Sequence, residues 1–81
     1  MSTITRNVPL TGEWEEINFT HCSNPSQTPI EFWPGTIAPI TKSKGHLLNP
    51  GAGMTKDSFD DPAVTVRFRG VGAILTVTES L

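Results

Sequence analysis

Fourteen of the 81 positions are glycine or proline, and they recur so evenly that the longest stretch free of both, Glu13 to Asn24, is 12 residues. Helical bundles are built from several helices of about 10–14 residues, and a membrane-spanning helix needs about 20 apolar residues in a row. Neither fits between these breakers, so the chain reads as all-β. Composition agrees with the punctuation. Threonine, valine and isoleucine supply 11, 5 and 6 residues, whereas alanine and lysine together supply seven. β-Branched side chains suit a pleated surface and lose rotamer freedom in helices.

Alternation then places the strands. In Thr3–Leu10, Ile4, Val8 and Leu10 share one face, and Thr3, Thr5 and Asn7 the other. Arg6 interrupts the apolar face and Pro9 cannot donate to a ladder, so this segment reads as an edge strand or as one guarded by an inward charge. Glu13–Thr20 is a second strand. Trp14 falls in one phase and Ile17 and Phe19 in the other, which predicts a bulge at Glu15-Glu16. Trp14 opens an otherwise buried strand and reads as core. Cys22–Pro29 is a loop by turn chemistry. Ile30–Trp33 is a short strand with Ile30 and Phe32 inward, followed by a Pro34-Gly35 turn. Thr36–Thr41 is a possible antiparallel return, His46–Leu48 a further strand, and Met54–Pro62 an aperiodic polar loop.

The clearest pattern lies near the C-terminus. Val64, Val66 and Phe68 alternate with Thr65, Arg67 and Arg69. Gly70-Val71-Gly72 has the length and composition of a hairpin connection, and Ala73–Glu79 is the return strand, with Leu75 and Val77 in phase. The expected architecture is a single domain over residues 1–81. It is a small β-sandwich or barrel of about six to seven short antiparallel strands with a C-terminal hairpin.

Little in the chain carries catalytic or metal chemistry. Zinc sites draw two ligands from one local element, but His21 and Cys22 are adjacent and point to opposite faces of a strand. His46 is remote in sequence. Asp57-Ser58-Phe59-Asp60-Asp61 lacks the spacing of a calcium loop. Cys22 with His21 or His46 offers no orienting third group, and Glu15 and Glu16 are neighbours rather than facing carboxylates. Neither Lys42-Ser43-Lys44-Gly45 nor Gly51-Ala52-Gly53 has phosphate-loop spacing. The reading is therefore a non-enzyme with no cofactor and no metal. A net charge of −2 gives no basic footprint for nucleic acid. One cysteine cannot form an internal disulfide, and Met-Ser-Thr-Ile-Thr-Arg lacks the apolar core of a signal peptide, which points to synthesis in a cytoplasm. So small a core without staples favours a homo-oligomer or attachment to a larger assembly.

A binding face is the stronger candidate. With Ile30 and Phe32 inward, Trp33 points away from the core, while Arg67 and Arg69 occupy the outer face of the C-terminal strand pair. Tryptophan and arginine carry much of the energy of protein interfaces. Trp33 serves either as such an anchor or as a cover over the open end of the core.

Three segments together carry a resemblance: Glu13-Trp14-Glu15, the run Leu48-Asn49-Pro50-Gly51-Ala52-Gly53-Met54, and the Val64–Glu79 ending with its Gly70-Val71-Gly72 turn. In this order they resemble small β-sandwich virion proteins of tailed bacteriophages, over about two-thirds of the chain. The resemblance implies a non-enzymatic structural protein located in the virion. Its leading version is a capsid decoration protein docked in many copies on the major capsid protein, with a tail or neck accessory component as the alternative. From another class, a soluble β-sandwich module binding a ligand such as a glycan remains, although only two Trp and no Tyr are available to stack on sugars. No nucleic acid or membrane partner is expected.

Overall fold

The computed structural model describes residues 3–35, 37, 39–40, 42, 44–56, 59 and 64–80. Eight strands form among them: β1 (Thr3–Pro9), β2 (Glu15–Glu16), β3 (His21–Ser23), β4 (Ile30–Pro34), β5 (His46–Leu48), β6 (Gly53–Thr55), β7 (Val66–Arg69) and β8 (Ile74–Ser80). They make two antiparallel four-stranded sheets, ordered β1-β8-β3-β6 and β2-β7-β4-β5. The chain is all-β, as expected, and the two packed sheets make it a sandwich.

The inward residues of both sheets form the core. Leu75, Val77 and Cys22 come from the first sheet, and Ile30, Leu48, Val66 and Phe68 from the second. Leu10, Ile17, Phe19 and Ala73 close it from the connections. Phe19 meets Phe68 edge-on at 5.6 Å between centroids, a favoured geometry for aromatic pairs. The inward phase of Val66, Phe68, Leu75 and Val77 follows the alternation in the sequence.

Several expectations are corrected. The largest is the C-terminal hairpin. β7 and β8 lie in different sheets, so Gly70–Ala73 is an arch across the sandwich rather than a hairpin turn. Gly72 takes φ 77°, and Ala73 N–H bonds Gly70 C=O at 3.1 Å. The arch is stitched to the β1–β2 connection, with Gly70 N–H donating to Thr11 C=O and Leu10 N–H to Ala73 C=O. Alternation identifies which face of a strand is buried; it does not say whether the next strand lies beside it or across the core.

Glu13–Thr20 likewise changes sheets. Glu15 and Glu16 pair with Phe68 and Arg67, and Ile17 N–H continues in step to Val66 C=O. Thr20 N–H already bonds Thr78 C=O in the other sheet. The register leaves no extra residue at Glu15-Glu16, so the expected bulge is absent there. The alternation of the segment is unbroken, and Trp14 falls on the outer face, not in the core.

The Cys22–Pro29 loop and the Met54–Pro62 loop each give their first residues to strands, because β3 pairs with β6, Cys22 opposite Met54. Residues 57, 58 and 60–62 of the second loop lie outside the described residues. β4 lies between β7 and β5, and the segment that returns antiparallel beside it is β5, with Ile30 opposite Leu48, rather than the 36–41 segment. Residues 37, 39 and 40 form no strand, and 36, 38 and 41 lie outside the described residues. β1 is an edge strand, as Arg6 and Pro9 suggest, and Arg6 forms an ion pair with Glu79 at 3.6 Å.

Asn24 organises the rest of the β3–β4 loop. It is fully buried, and its amide donates to Thr28 C=O at 2.8 Å and Leu48 C=O at 3.0 Å. Its Oδ1 accepts from the backbone and hydroxyl of Ser26.

Candidate docking face

Directly opposed residues of an antiparallel pair share a face. On the outer face of the second sheet Glu31 therefore stands beside Arg69, and Trp33 beside Arg67, with Glu16 opposite Arg67 on its other side. Leu47 extends the Glu31 row onto β5. The unbroken phase of the β2 segment brings Trp14 to the same face.

Trp14 and Trp33 meet edge-on at 6.1 Å between centroids. Each indole is fixed at its polar tip by the β4–β5 connection. Trp14 Nε1 donates to Ile40 C=O at 3.2 Å, and Trp33 Nε1 to Ile37 C=O at 3.1 Å. This connection begins at Gly35, whose φ of 142° disfavours other residues. It ends at Gly45, where a β-carbon would lie 2.5 Å from Phe32 C=O and 2.8 Å from the Trp14 ring. The close approach of Trp14 to the backbone thus requires glycine there. Ile37 and Ile40 give their carbonyls to the tryptophans and leave their side chains outside. Ile37 is 79% exposed and Ile40 69%, and Leu47 on β5 is 60%.

The two arginines differ. Arg69 is engaged within the chain. Its Nε and Nη2 donate to the two carboxylate oxygens of Glu31 at 3.3 and 3.2 Å. Its guanidinium carbon also lies 4.3 Å from the centroid of the Trp14 ring. Such two-point pairing combined with stacking is specific to the planar guanidinium. The Arg69 bonds, with one from Gly45 N–H, hold the Glu31 carboxyl below its ordinary range, against a smaller opposing effect of burial. Arg67 is half-buried and its Nη1 is buried without a hydrogen-bond partner among the described residues.

The sequence-derived trio of Trp33, Arg67 and Arg69 therefore does gather on one face. Trp33 is half-buried rather than open, covered by its own connection, and Arg69 is a brace for Trp14 and Glu31. The sequence reading missed Trp14, Glu31, Ile37, Ile40 and Leu47. Strict alternation from Ile17 back to Trp14, without the bulge, would have found the first of these.

His21 and Cys22 point to opposite faces, one exposed and the other fully buried; burial pushes the Cys22 thiol up to about 12. Asp57, Asp60 and Asp61 lie outside the described residues. Comparison with protein families, curated proteins and solved structures found no match.

Proposed function

We propose that this protein is a non-enzymatic structural component of a tailed-phage virion, a decoration protein that docks in many copies on the capsid through the outer face of its second sheet. One observation carries the docking half of the reading. Half-buried Arg67 lies on the same face as Trp14 and Trp33, together with the exposed side chains of Ile37, Ile40 and Leu47. Tryptophan, arginine and exposed aliphatic side chains gathered on one face are the surface a protein partner gains most by covering, at about 25 cal/mol per Å² of apolar area. Ile37, Ile40 and Leu47 would be covered in the same contact. Arg69 and Glu31 set the position of Trp14 rather than meeting the partner. The identity of the surface rests on the resemblance to virion proteins alone.

The test is occupancy. Particles are assembled with wild-type, Trp33→Ala or Arg67→Ala protein, and copies per particle are counted by quantitative mass spectrometry. The proposal expects fewer copies of both variants, with the circular dichroism of the free proteins unchanged. Unchanged occupancy removes this face as the contact. Absence of the wild-type chain from particles removes the virion reading, and its presence on isolated tails but not heads moves it to the tail or neck.

A further inference from the structure

The edges of the two sheets are β1, β6, β2 and β5. Three of them are two or three residues long, and β1 has seven. An open edge of that length is a template for a further strand unless something blunts it.

Which groups of β1 are open follows from two bonds. Leu10 N–H donates to Ala73 C=O at 2.9 Å, and this pair continues the register in which Pro9 faces Ile74. Hydrogen-bonded pairs recur at every second residue of an antiparallel ladder. Ile4, Arg6 and Val8 therefore turn their N–H and C=O groups into β8, while Thr3, Thr5 and Asn7 turn theirs out of the sheet. The second bond agrees: the carbonyl of Thr78, opposite Thr5, accepts from Thr20 N–H on the side away from β1. No described residue bonds the outward backbone groups of Thr3, Thr5 and Asn7. Pro9, with no N–H to offer, takes the next outward position and ends the open row. Arg6 does not guard the edge by its charge, because Glu79 pairs with it at 3.6 Å.

We infer that β1 pairs with β1 of a second copy, antiparallel and about a twofold axis at Thr5, so that the two copies share one continuous sheet. Outward N–H and C=O groups on a strand fit another extended backbone, and the register fits β1 to itself. About Thr5, the two Thr5 residues meet and Thr3 meets Asn7 of the second copy. Every outward donor and acceptor from Thr3 to Asn7 is then bonded, and Pro9 lies beyond the paired stretch. An axis at Arg6 would set two guanidinium groups directly opposite each other and bring Pro9 against Thr3. An axis at Ile4 would leave Asn7 beyond the described strand.

Side chains select the same pairing. Ile4 has the phase of Leu75 and Val77, yet it is 46% exposed. With the axis at Thr5, Ile4 lies between Glu79 of its own copy and Arg6 of the second, and directly opposed residues share a face. The methylene stem of that arginine covers Ile4, and its guanidinium comes toward Glu79. A strand of unrelated sequence would match the backbone alone; β1 matches its own bonds, proline position and charges together.

The paired stretch is smaller than a standard interface, so association is weak and rises with concentration. Sedimentation equilibrium carried into the millimolar range tests it. Wild-type protein is expected to rise from 8.8 kDa toward twice that mass. Thr5→Pro removes an outward N–H that the sheet itself does not use, and Pro9 already occupies the same phase. Thr5→Pro should therefore keep the wild-type circular dichroism and stay at the chain mass throughout. Amide hydrogen exchange of the wild type reads the edge without any variant. Thr5 and Asn7 should exchange fast in dilute protein and slow as concentration rises, with Arg6 and Val8 slow at both. Wild-type protein that stays at the chain mass overturns the inference. So does association retained by a folded Thr5→Pro variant, or a dimer whose Thr5 and Asn7 amides exchange as fast as the monomer's.

Discussion

Replacing Val66 by aspartate should unfold the protein or nearly so, while the same change at Thr65 should be tolerated. Val66 is 1% exposed and lies in the middle of the core with Phe68 and Ile30. Loss of its burial costs about 1.5–3 kcal/mol. A carboxyl placed there is either ionised without a partner or forced to take a proton, and breaking the balance of a buried charge costs a further 3–5 kcal/mol or so. At about 0.05–0.15 kcal/mol per residue, the whole domain is stable by only roughly 4–12 kcal/mol. The sum therefore approaches or exceeds the total. Thr65 has the opposite phase, and its described tie to the fold is a backbone carbonyl accepting from Gly35 N–H at 2.9 Å. Aspartate keeps that carbonyl, and its side chain reaches water, so a loss within about 1 kcal/mol is expected. Urea melts followed by tryptophan fluorescence measure both. Equal losses for the two variants would refute the assignment of β7's faces, and with it the placement of Arg67 and Arg69.

Four further outcomes follow from the same geometry. The Glu31 carboxyl is held below its ordinary range first by Arg69, so its contribution to stability is present above the unfolded value of about 4.3 and is lost as pH falls through the folded value. The stability gap between wild type and Glu31→Gln should accordingly be level at neutral pH and close in acid, and a gap that does not change with pH would contradict the pairing. Asn24→Ala should cost about 2–4 kcal/mol in the same melts, because the carbonyls of Thr28 and Leu48 both lose their amide donor. The Cys22 thiol, raised to about 12 by burial, should react with a thiol reagent at neutral pH only at the rate of unfolding, and rapid modification of the native protein would contradict its burial. Gly45→Ala must displace the Trp14 ring, so its tryptophan emission should shift to longer wavelength; an unchanged spectrum would contradict the close approach.

Strand phases were legible where one face of the strand is apolar. Leu75 and Val77, Val66 and Phe68, and Ile30 all bury the side that alternation assigns. Lateral neighbours were not legible. Gly70-Val71-Gly72 suits a hairpin or an arch equally, and the bonds that decide come from Leu10 and Thr11, some sixty residues earlier. Short strands such as Cys22 opposite Met54 carry too few residues to show a period, and they exist because each finds a partner distant in sequence. Asn24 looks like an ordinary loop residue until the Thr28 and Leu48 carbonyls converge on it.

At the docking face, residue type alone singled out Trp33, Arg67 and Arg69. Which arginine is engaged depends on the Glu31–Arg69 register, which is a property of the paired strands.

The most direct test of the account is a cryo-EM reconstruction of the particle at a resolution that traces this chain. The account predicts many copies on the capsid, each with Trp33, Arg67, Ile37 and Leu47 turned toward the major capsid protein and an acceptor from that protein within hydrogen-bond distance of the Arg67 guanidinium. Copies seated through Thr5, Thr78 and Thr55 with the tryptophan face open to solvent would contradict the docking assignment, and particles that lack the chain would contradict the function itself.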